Sequence, residues 1–233
     1  MQHQPIPHNE MERVLELSDY DLDYTSFQDS FKDLAKLAAK VAGTNISLVN
    51  LIDSFTQWSI TNHGLDVSQM PREESICQYT IMGDNPFEVT DLRADDRFSD
   101  RGYVTGAPNV KYYFGVPLTT EEGTNIGALC VLDQDVKTLS PEKVELLKII
   151  AGEIVNRLRA HKIINGLKSK LKEATRIPVM QSILTLHTIR QTQPASLQAA
   201  GQRIMILTDS PSLECDCWSH YKRKQKLQPS TTT

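Results

Sequence analysis

No run of eighteen or more apolar residues occurs in this 233-residue chain, so nothing in it reads as a membrane-spanning helix. The opening MQHQPIPHNE has neither a basic region nor an apolar one and shows no sign of a secretory leader. Positive charge is also short: 25 Lys and Arg stand against 29 Asp and Glu, for a net charge of −4. That balance gives no basic field for nucleic acid or anionic lipid. Cysteine is scarce, with Cys77 and Cys130 isolated in apolar surroundings and Cys215 and Cys217 close together near the end. Four thiols so placed are no disulfide framework, and they suit a reducing, cytoplasmic compartment. There is no readable Ser-His-Asp motif, phosphate loop or paired-acid metal spacing, so no catalytic residue and no metal site is assigned and the chain is not read as an enzyme.

What is present is enough apolar material, 39% of the residues, for one good core with appendages. The organising stretch is Lys111 to Asp133, KYYFGVPLTTEEGTNIGALCVLD. Two apolar runs, Tyr112 to Leu118 and Ile126 to Leu132, flank a polar connection containing Gly123, the pattern of a β-hairpin. Alternation puts Tyr112, Phe114, Val116 and Leu118 on one side of the first strand and Tyr113, Gly115 and Pro117 on the other. In the second, Leu129 and Val131 oppose Ala128, Cys130 and Leu132. Both faces are apolar or small, so both are expected to be covered. Gly115 and Gly127 fall where a strand prefers a side chain, which marks a bulge, tight packing or close approach by backbone or ligand.

Around the hairpin, Phe27, Phe31, Leu34, Ala35, Ala38 and Val41 keep helical spacing, with Thr25 or Ser26 as cap and Gly43 as stop. Residues 45–53 and 56–62 read as a second hairpin, Pro71 to Met82 as a short helix, Phe87 to Thr90 as a short strand, and Arg97 to Tyr103 as a helical turn. Ser140-Pro141-Glu142 starts a helix with no clear stop before Pro178. Some 35 residues of helix span roughly 50 Å, more than a domain of this size needs to cover its sheet. Val144, Leu147, Ala151, Ile154, Leu158, Ile164, Leu167 and Leu171 hold near three-and-four spacing. The second half is therefore expected to project and to pair in parallel with a second copy, the competing reading being a helix folded back on its own domain.

The pieces F-G-V-P-L and I-G-A-L-C-V-L-D, preceded by V-T-D-L-R-A-D-D-R-F at Val89 to Phe98, resemble the GAF domain, a small-molecule-sensing and dimerising module, here of the kind found in bacterial signal-transduction histidine kinases. The resemblance runs from about Phe27 to about Leu158. It implies an α+β fold of the GAF/PAS-like type: a central antiparallel sheet with flanking helices, a ligand pocket on one face, and a long C-terminal helix projecting from it. The domain plan that follows is an N-terminal lead-in over 1–23, the GAF domain over 24–160, a coiled-coil-like signalling helix over 161–177 and an atypical, largely disordered tail over 178–233.

Trp58, Phe98 and Tyr113 are the aromatics expected to line the hollow, with Gly115 giving close approach and Cys77 and Asp91 at its edge. Each has a packing alternative, Cys77 above all as a buried core thiol. Asp95 and Arg97 are expected to fix their loop by capping and ion pairing. In bilin-attaching relatives the anchoring cysteine is followed by His; Gln78 follows Cys77 here, which argues against a photoreceptor. The Asn-Lys, Phe and Asp-Glu signature of cyclic-nucleotide-binding relatives is not intact. A methionine-sulfoxide reductase of this fold needs a cluster of pocket cysteines, and Cys77 and Cys130 alone argue against it. Cys215, Cys217 and His220 offer only three soft ligands where a structural zinc site needs four. His187 and Arg190 match a histidine-kinase phosphoacceptor segment, but Thr188 replaces its acid and Pro194 lies too far on. The preferred expectation is a cytoplasmic sensor that binds a small ligand of unknown identity, with no cofactor assigned, and signals as a homodimer through the C-terminal helix. The alternatives are a ligand-free dimerisation scaffold and the truncated sensor half of a histidine kinase.

Overall fold

The computed structural model describes residues 5–20 and 28–192, with the side chains of 28–29 and 176–192 left aside. It divides into two units, Met1–Ile177 and Pro178–Thr233. The expected caps Thr25 and Ser26, the tail cysteines and His220 lie outside the described residues, as does the side chain of His187.

In the first unit, α1 (Glu10–Ser18) and α2 (Gln28–Ala42) precede a six-stranded sheet, and α5 (Pro141–Thr192) follows it, starting in this unit and running past Ile177. The strands are β1 (Ile46–Ile52), β2 (Thr56–His63), β3 (Gln69–Pro71), β4 (Phe87–Val89), β5 (Tyr112–Thr119) and β6 (Asn125–Asp133). They are all antiparallel to their neighbours, in the order β3-β2-β1-β6-β5-β4. The two expected hairpins are therefore the two halves of the sheet, joined where β1 pairs with β6. All seven residues of β1 and all nine of β6 are buried, as two central strands covered on both faces must be.

One face of the sheet carries Val49, Leu51, Ile60, Tyr112, Phe114, Val116, Leu118, Leu129 and Val131 against the apolar stripes of α2 and α5. Alternation groups Tyr112, Phe114, Val116 and Leu118 on one side of their strand and Leu129 and Val131 on one side of theirs, and the structure turns both groups to this face. The helix α2 ends where Gly43 adopts φ 72°, a left-handed conformation that glycine takes without penalty. It runs antiparallel to α5: Lys143 Nζ donates to the carbonyl of Ala42 at 3.1 Å, and fourteen residues on Arg157 donates to Ser30 O at 2.9 Å and to Asp33 at 3.0 Å. Beyond that point α5 leaves the sheet. Leu147, Ile150, Ala151, Ile154 and Leu158 are buried, whereas Ile163, Ile164, Leu167 and Leu171 are 46–66% exposed.

The other face is covered by short pieces. A single helical turn at Arg72–Glu74, α3 (Cys77–Thr80), a turn at Leu92–Ala94 and α4 (Gly102–Thr105) replace the one helix expected over Pro71 to Met82 and the turn expected over Arg97 to Tyr103. Extended backbone at Ser75 separates the first two, where its side-chain oxygen accepts from the Cys77 N–H instead of continuing a helix. The helix α5 passes through Pro178, where the sequence predicts its end; a proline removes one backbone hydrogen bond and tends to kink a helix without always ending it.

The N-terminal helix is locked to this frame by a buried cation. Arg13 is fully buried, donating to both Glu10 carboxylate oxygens (2.9 and 2.8 Å) and to the carbonyls of Ile52 and Asp53. Arg72 reaches the same Glu10 from the opposite side.

Candidate functional site

On the face away from α2 and α5, the sheet and the loops over it form a half-open cavity of about 70 Å³. Its floor is sheet: Leu48 and Asn50 from β1, Gln57 from β2, Tyr113 from β5, Cys130 and Leu132 from β6. Its roof is Leu65, Val67 and Met70 with Ile76, Cys77, Tyr103 and Val110. The walls are almost wholly apolar, and the polar atoms gather at one end.

That end is built around Asn50, the one amide in an otherwise mostly apolar strand. Ser59 Oγ donates to its Oδ1 at 2.6 Å, which turns the amide NH2 toward the sulfurs of Cys77 and Cys130, at 3.3 and 3.4 Å. The two sulfurs are 3.8 Å apart. The Tyr113 hydroxyl donates to Cys77 Sγ at 3.3 Å and accepts from Thr80 Oγ1 at 2.7 Å. Behind these, Ser75 Oγ donates to Gln57 Oε1. The contact with Cys130 acts most strongly on Cys77; with the hydrogen bonds from Tyr113 and Asn50 it outweighs the cost of burial and brings the thiol down to about 7. The same contact, with burial, pushes Cys130 well up. Burial likewise raises Tyr113, which keeps its proton for donation. Within the pair the shared contact therefore lowers Cys77 and raises Cys130.

Of the residues expected in the hollow, Cys77 and Tyr113 line it. Gly115 sits beneath the Tyr113 ring: a Cβ there would lie 2.4 Å from Tyr113 Oη and 2.6 Å from Thr80 Oγ1, so it is side chains of the site, not a ligand, that need its bareness. Phe98 is one layer back. It packs edge-on against Tyr79 and Phe87, with the Arg97 guanidinium 5.0–5.2 Å from all three rings, and Phe87 in turn meets Tyr113. Arg97 is held by Asp95 at 2.6 Å, so this pair fixes the loop as expected. Two placements correct the sequence reading. Trp58 pairs across with Leu51 and therefore faces the other side of the sheet, its Nε1 donating to Asp53 at 2.7 Å. Asp91 caps the turn at Leu92–Ala94 and pairs with Arg93 at 2.7 Å, in an open acidic hollow away from the cavity. Neither lines the buried cavity.

Asn50, Gln57 and Cys130 were missed as site residues. The signal for Asn50 was available, since an amide inside an apolar strand must find buried partners. Among the described residues no three His, Cys, Asp or Glu side chains come together to hold a metal ion, and no helix is long and apolar enough to cross a membrane.

This architecture can be set beside known proteins. The GAF domain of a phosphoenolpyruvate-protein phosphotransferase from Acinetobacter superposes with a TM-score of 0.50 at 11% identity, over 69% of this chain and 99% of that one. The chain has the fold of a GAF domain. The GAF domain region of a membrane protein from Geobacter sulfurreducens, at 17% identity over 64% of this chain and 97% of that one, gives a TM-score of 0.48. In sequence, a cyclic di-GMP phosphodiesterase of Pseudomonas aeruginosa is 35% identical over 155 residues, 66% of this chain. The match spans 26% of that protein, so this chain corresponds to about a quarter of its length. No family model matches the sequence. Here the cavity and α5 lie on opposite faces of the sheet.

Proposed function

We propose that this GAF domain is a non-catalytic sensory module of a signalling protein, which holds a small, mostly apolar ligand in the cavity and relays its presence through α5 to a second copy of the chain. The observation that carries the reading is the cavity itself, partly covered by loops and furnished with a few convergent polar groups at one end. At about 70 Å³, against roughly 30 Å³ per water in the liquid, it has room for about two waters, so the ligand is two or three heavy atoms in size unless the loops yield. A route outward is built into β6: Cys130 and Leu132 face the cavity while Leu129 and Val131 belong to the apolar cluster on the other face, which includes residues of α2 and α5. A ligand that favours one position of that strand favours one position of the helix, and only such differential affinity can carry a signal. The exposed residues Ile163, Ile164, Leu167 and Leu171 give the projecting part of α5 an apolar stripe that a second helix would cover. The Pseudomonas relative, in which the matched region is a minor part of a longer chain, supports an input role rather than an output one. The small cavity volume favours one competing reading, a ligand-free scaffold used for dimerisation.

Native mass spectrometry of the full chain tests both. A dimer carrying a reproducible added mass is the expected result. An empty dimer that takes up no small apolar compound would move the assignment to a scaffold, and an empty monomer would overturn both. Leu167→Glu places a charge in the stripe and should convert dimer to monomer while the cavity stays intact.

A further inference from the structure

We propose that Cys77 and Cys130 form a hydroperoxide-reactive dithiol, with Cys77 as the attacking sulfur and Cys130 as the resolving one, so that the cavity senses oxidant as well as, or in place of, a reversibly bound molecule. The inference is independent of whether any ligand occupies the cavity.

It rests on the arrangement of donors. A merely structural pair of buried cysteines needs no hydrogen bonds to sulfur, since a free thiol packs as a small hydrophobe. Here Cys77 Sγ receives the Asn50 amide and the Tyr113 hydroxyl, whereas Cys130 Sγ, in contact with Cys77 Sγ, receives the second reach of the same amide and a backbone N–H from Leu48 but no hydroxyl. The set is asymmetric, which is what an attacking and a resolving sulfur require and what a bis-thiolate metal site does not. The orientation of the donors is fixed from outside: Ser59 holds the Asn50 oxygen, leaving only its NH2 for the sulfurs, and Thr80 occupies the Tyr113 oxygen, leaving its proton for Cys77. The cavity borders both sulfurs and has room for a molecule of two or three heavy atoms. Apart from the two sulfurs and these donors its walls are apolar, so a small neutral hydroperoxide enters more readily than an anion.

The chemistry balances without a further reactant. The Cys77 thiolate attacks one oxygen of the peroxide, the O–O bond breaks, and the departing oxygen leaves as water or alcohol with the proton given up by Cys77. Cys77 is then a sulfenic acid. The Cys130 sulfur attacks Cys77 Sγ, the S–S bond forms, the S–O bond breaks, and hydroxide leaves as water with the proton of Cys130. Two thiols are oxidised by two electrons and one peroxide is reduced. The new bond ties α3 to β6, because Cys77 belongs to one and Cys130 to the other.

The test uses the full chain, reduced and then treated with hydrogen peroxide, followed by peptide mapping that separates Cys77 and Cys130 from the tail pair Cys215 and Cys217. A disulfide between Cys77 and Cys130 is expected, reversed by dithiothreitol. In Cys130→Ser, peroxide treatment followed by unfolding in urea with dimedone should give an adduct on Cys77, whereas in Cys77→Ser Cys130 should remain reduced. Tyr113→Phe should slow disulfide formation about tenfold, the scale of one lost hydrogen bond to a thiolate. Dimedone on Cys130 instead of Cys77 would overturn the assignment of roles. Cys77 and Cys130 both still reduced after Cys215 and Cys217 have been oxidised would overturn the proposal itself. Mapping the unaltered chain needs no variant to fold, so the decisive arm stands even if a substitution proves destabilising.

Discussion

Replacing Gly115 by Ala probes how tightly the cavity end is assembled. The added Cβ would stand 2.4 Å from Tyr113 Oη, 2.6 Å from Thr80 Oγ1 and 2.9 Å from Tyr113 Cζ. Ordinary contact begins near 3.4 Å, so the tyrosine hydroxyl must retreat by about 1 Å. It cannot do so and keep both its 2.7 Å bond with Thr80 and its 3.3 Å bond to Cys77. Overpacking of this kind costs about 1–3 kcal/mol, and a buried hydrogen bond lost on one side about 1–3 kcal/mol. The two overlap, because a shift that relieves the clash is the shift that breaks the bond, so the sum is about 3 kcal/mol. For a chain of this size the thermal midpoint falls by roughly 6–12 °C. Urea unfolding followed by circular dichroism measures the loss. The same substitution in a Tyr113→Phe background separates the mechanism from a generic strand effect: with Oη gone only Thr80 and the ring edge are in the way, and the cost should drop to about half. A cost below about 0.5 kcal/mol in the parent, or an equal cost in both backgrounds, would refute the reasoning.

Gly127→Ala should be worse, about 4 kcal/mol or more, because its Cβ would meet the carbonyl oxygen of Asn50 at 2.1 Å, and backbone at the β1–β6 seam cannot turn aside; soluble yield and thermal midpoint report it, and a stable variant would contradict the packing of that seam. By contrast Gly152→Ala, on α5 with nothing within 4 Å of the added carbon, should raise stability by up to about 1 kcal/mol. Burial raises the Glu10 carboxyl, but hydrogen bonds from Arg13 and Arg72 outweigh it and hold it below its ordinary 4.5. A group depressed in the folded state stabilises above its unfolded value, and loses that effect as pH falls through the folded one. The gap in urea midpoint between the parent and Glu10→Gln should therefore be constant from about pH 7 to 5 and close below about pH 4; a gap unchanged to pH 3 would sink the assignment.

The sheet and its two faces were legible in the sequence because the central hairpin alternates without a break. Tyr112, Phe114, Val116 and Leu118 share one face as their parity required, as do Leu129 and Val131, and the structure turns both sets toward the helices. Trp58 shows where such reading stops: its strand was recognised, but its face depends on the register against Leu51, and β1 and β2 slip by a residue at Val49/Asn50. The covering pieces over residues 72–105 were read less well, since one-turn helices carry too few residues to show a period. Asp91 misled for another reason: an Asp beside a loop Arg looks the same in sequence whether it caps a turn or faces a ligand. Arg13 left no trace at all, because a cation in a short polar helix reads as solvated until Glu10, Arg72 and two carbonyls close around it.

The joining of β1 to β6 also sets a timetable for synthesis. The central strand Ile46–Ile52, buried at all seven positions, emerges from the ribosome with one neighbour soon available in β2, but its other edge stays open until Asn125–Asp133 has been made. About 70 residues separate the two, which at about 5–20 residues per second is a wait of roughly 4–14 s. For that interval the nascent chain presents an apolar edge strand with no partner of its own, the condition in which strands pair with the wrong neighbour. Slowing elongation between the codons for Ile52 and Asn125 would lengthen the exposure without changing a single residue of the product.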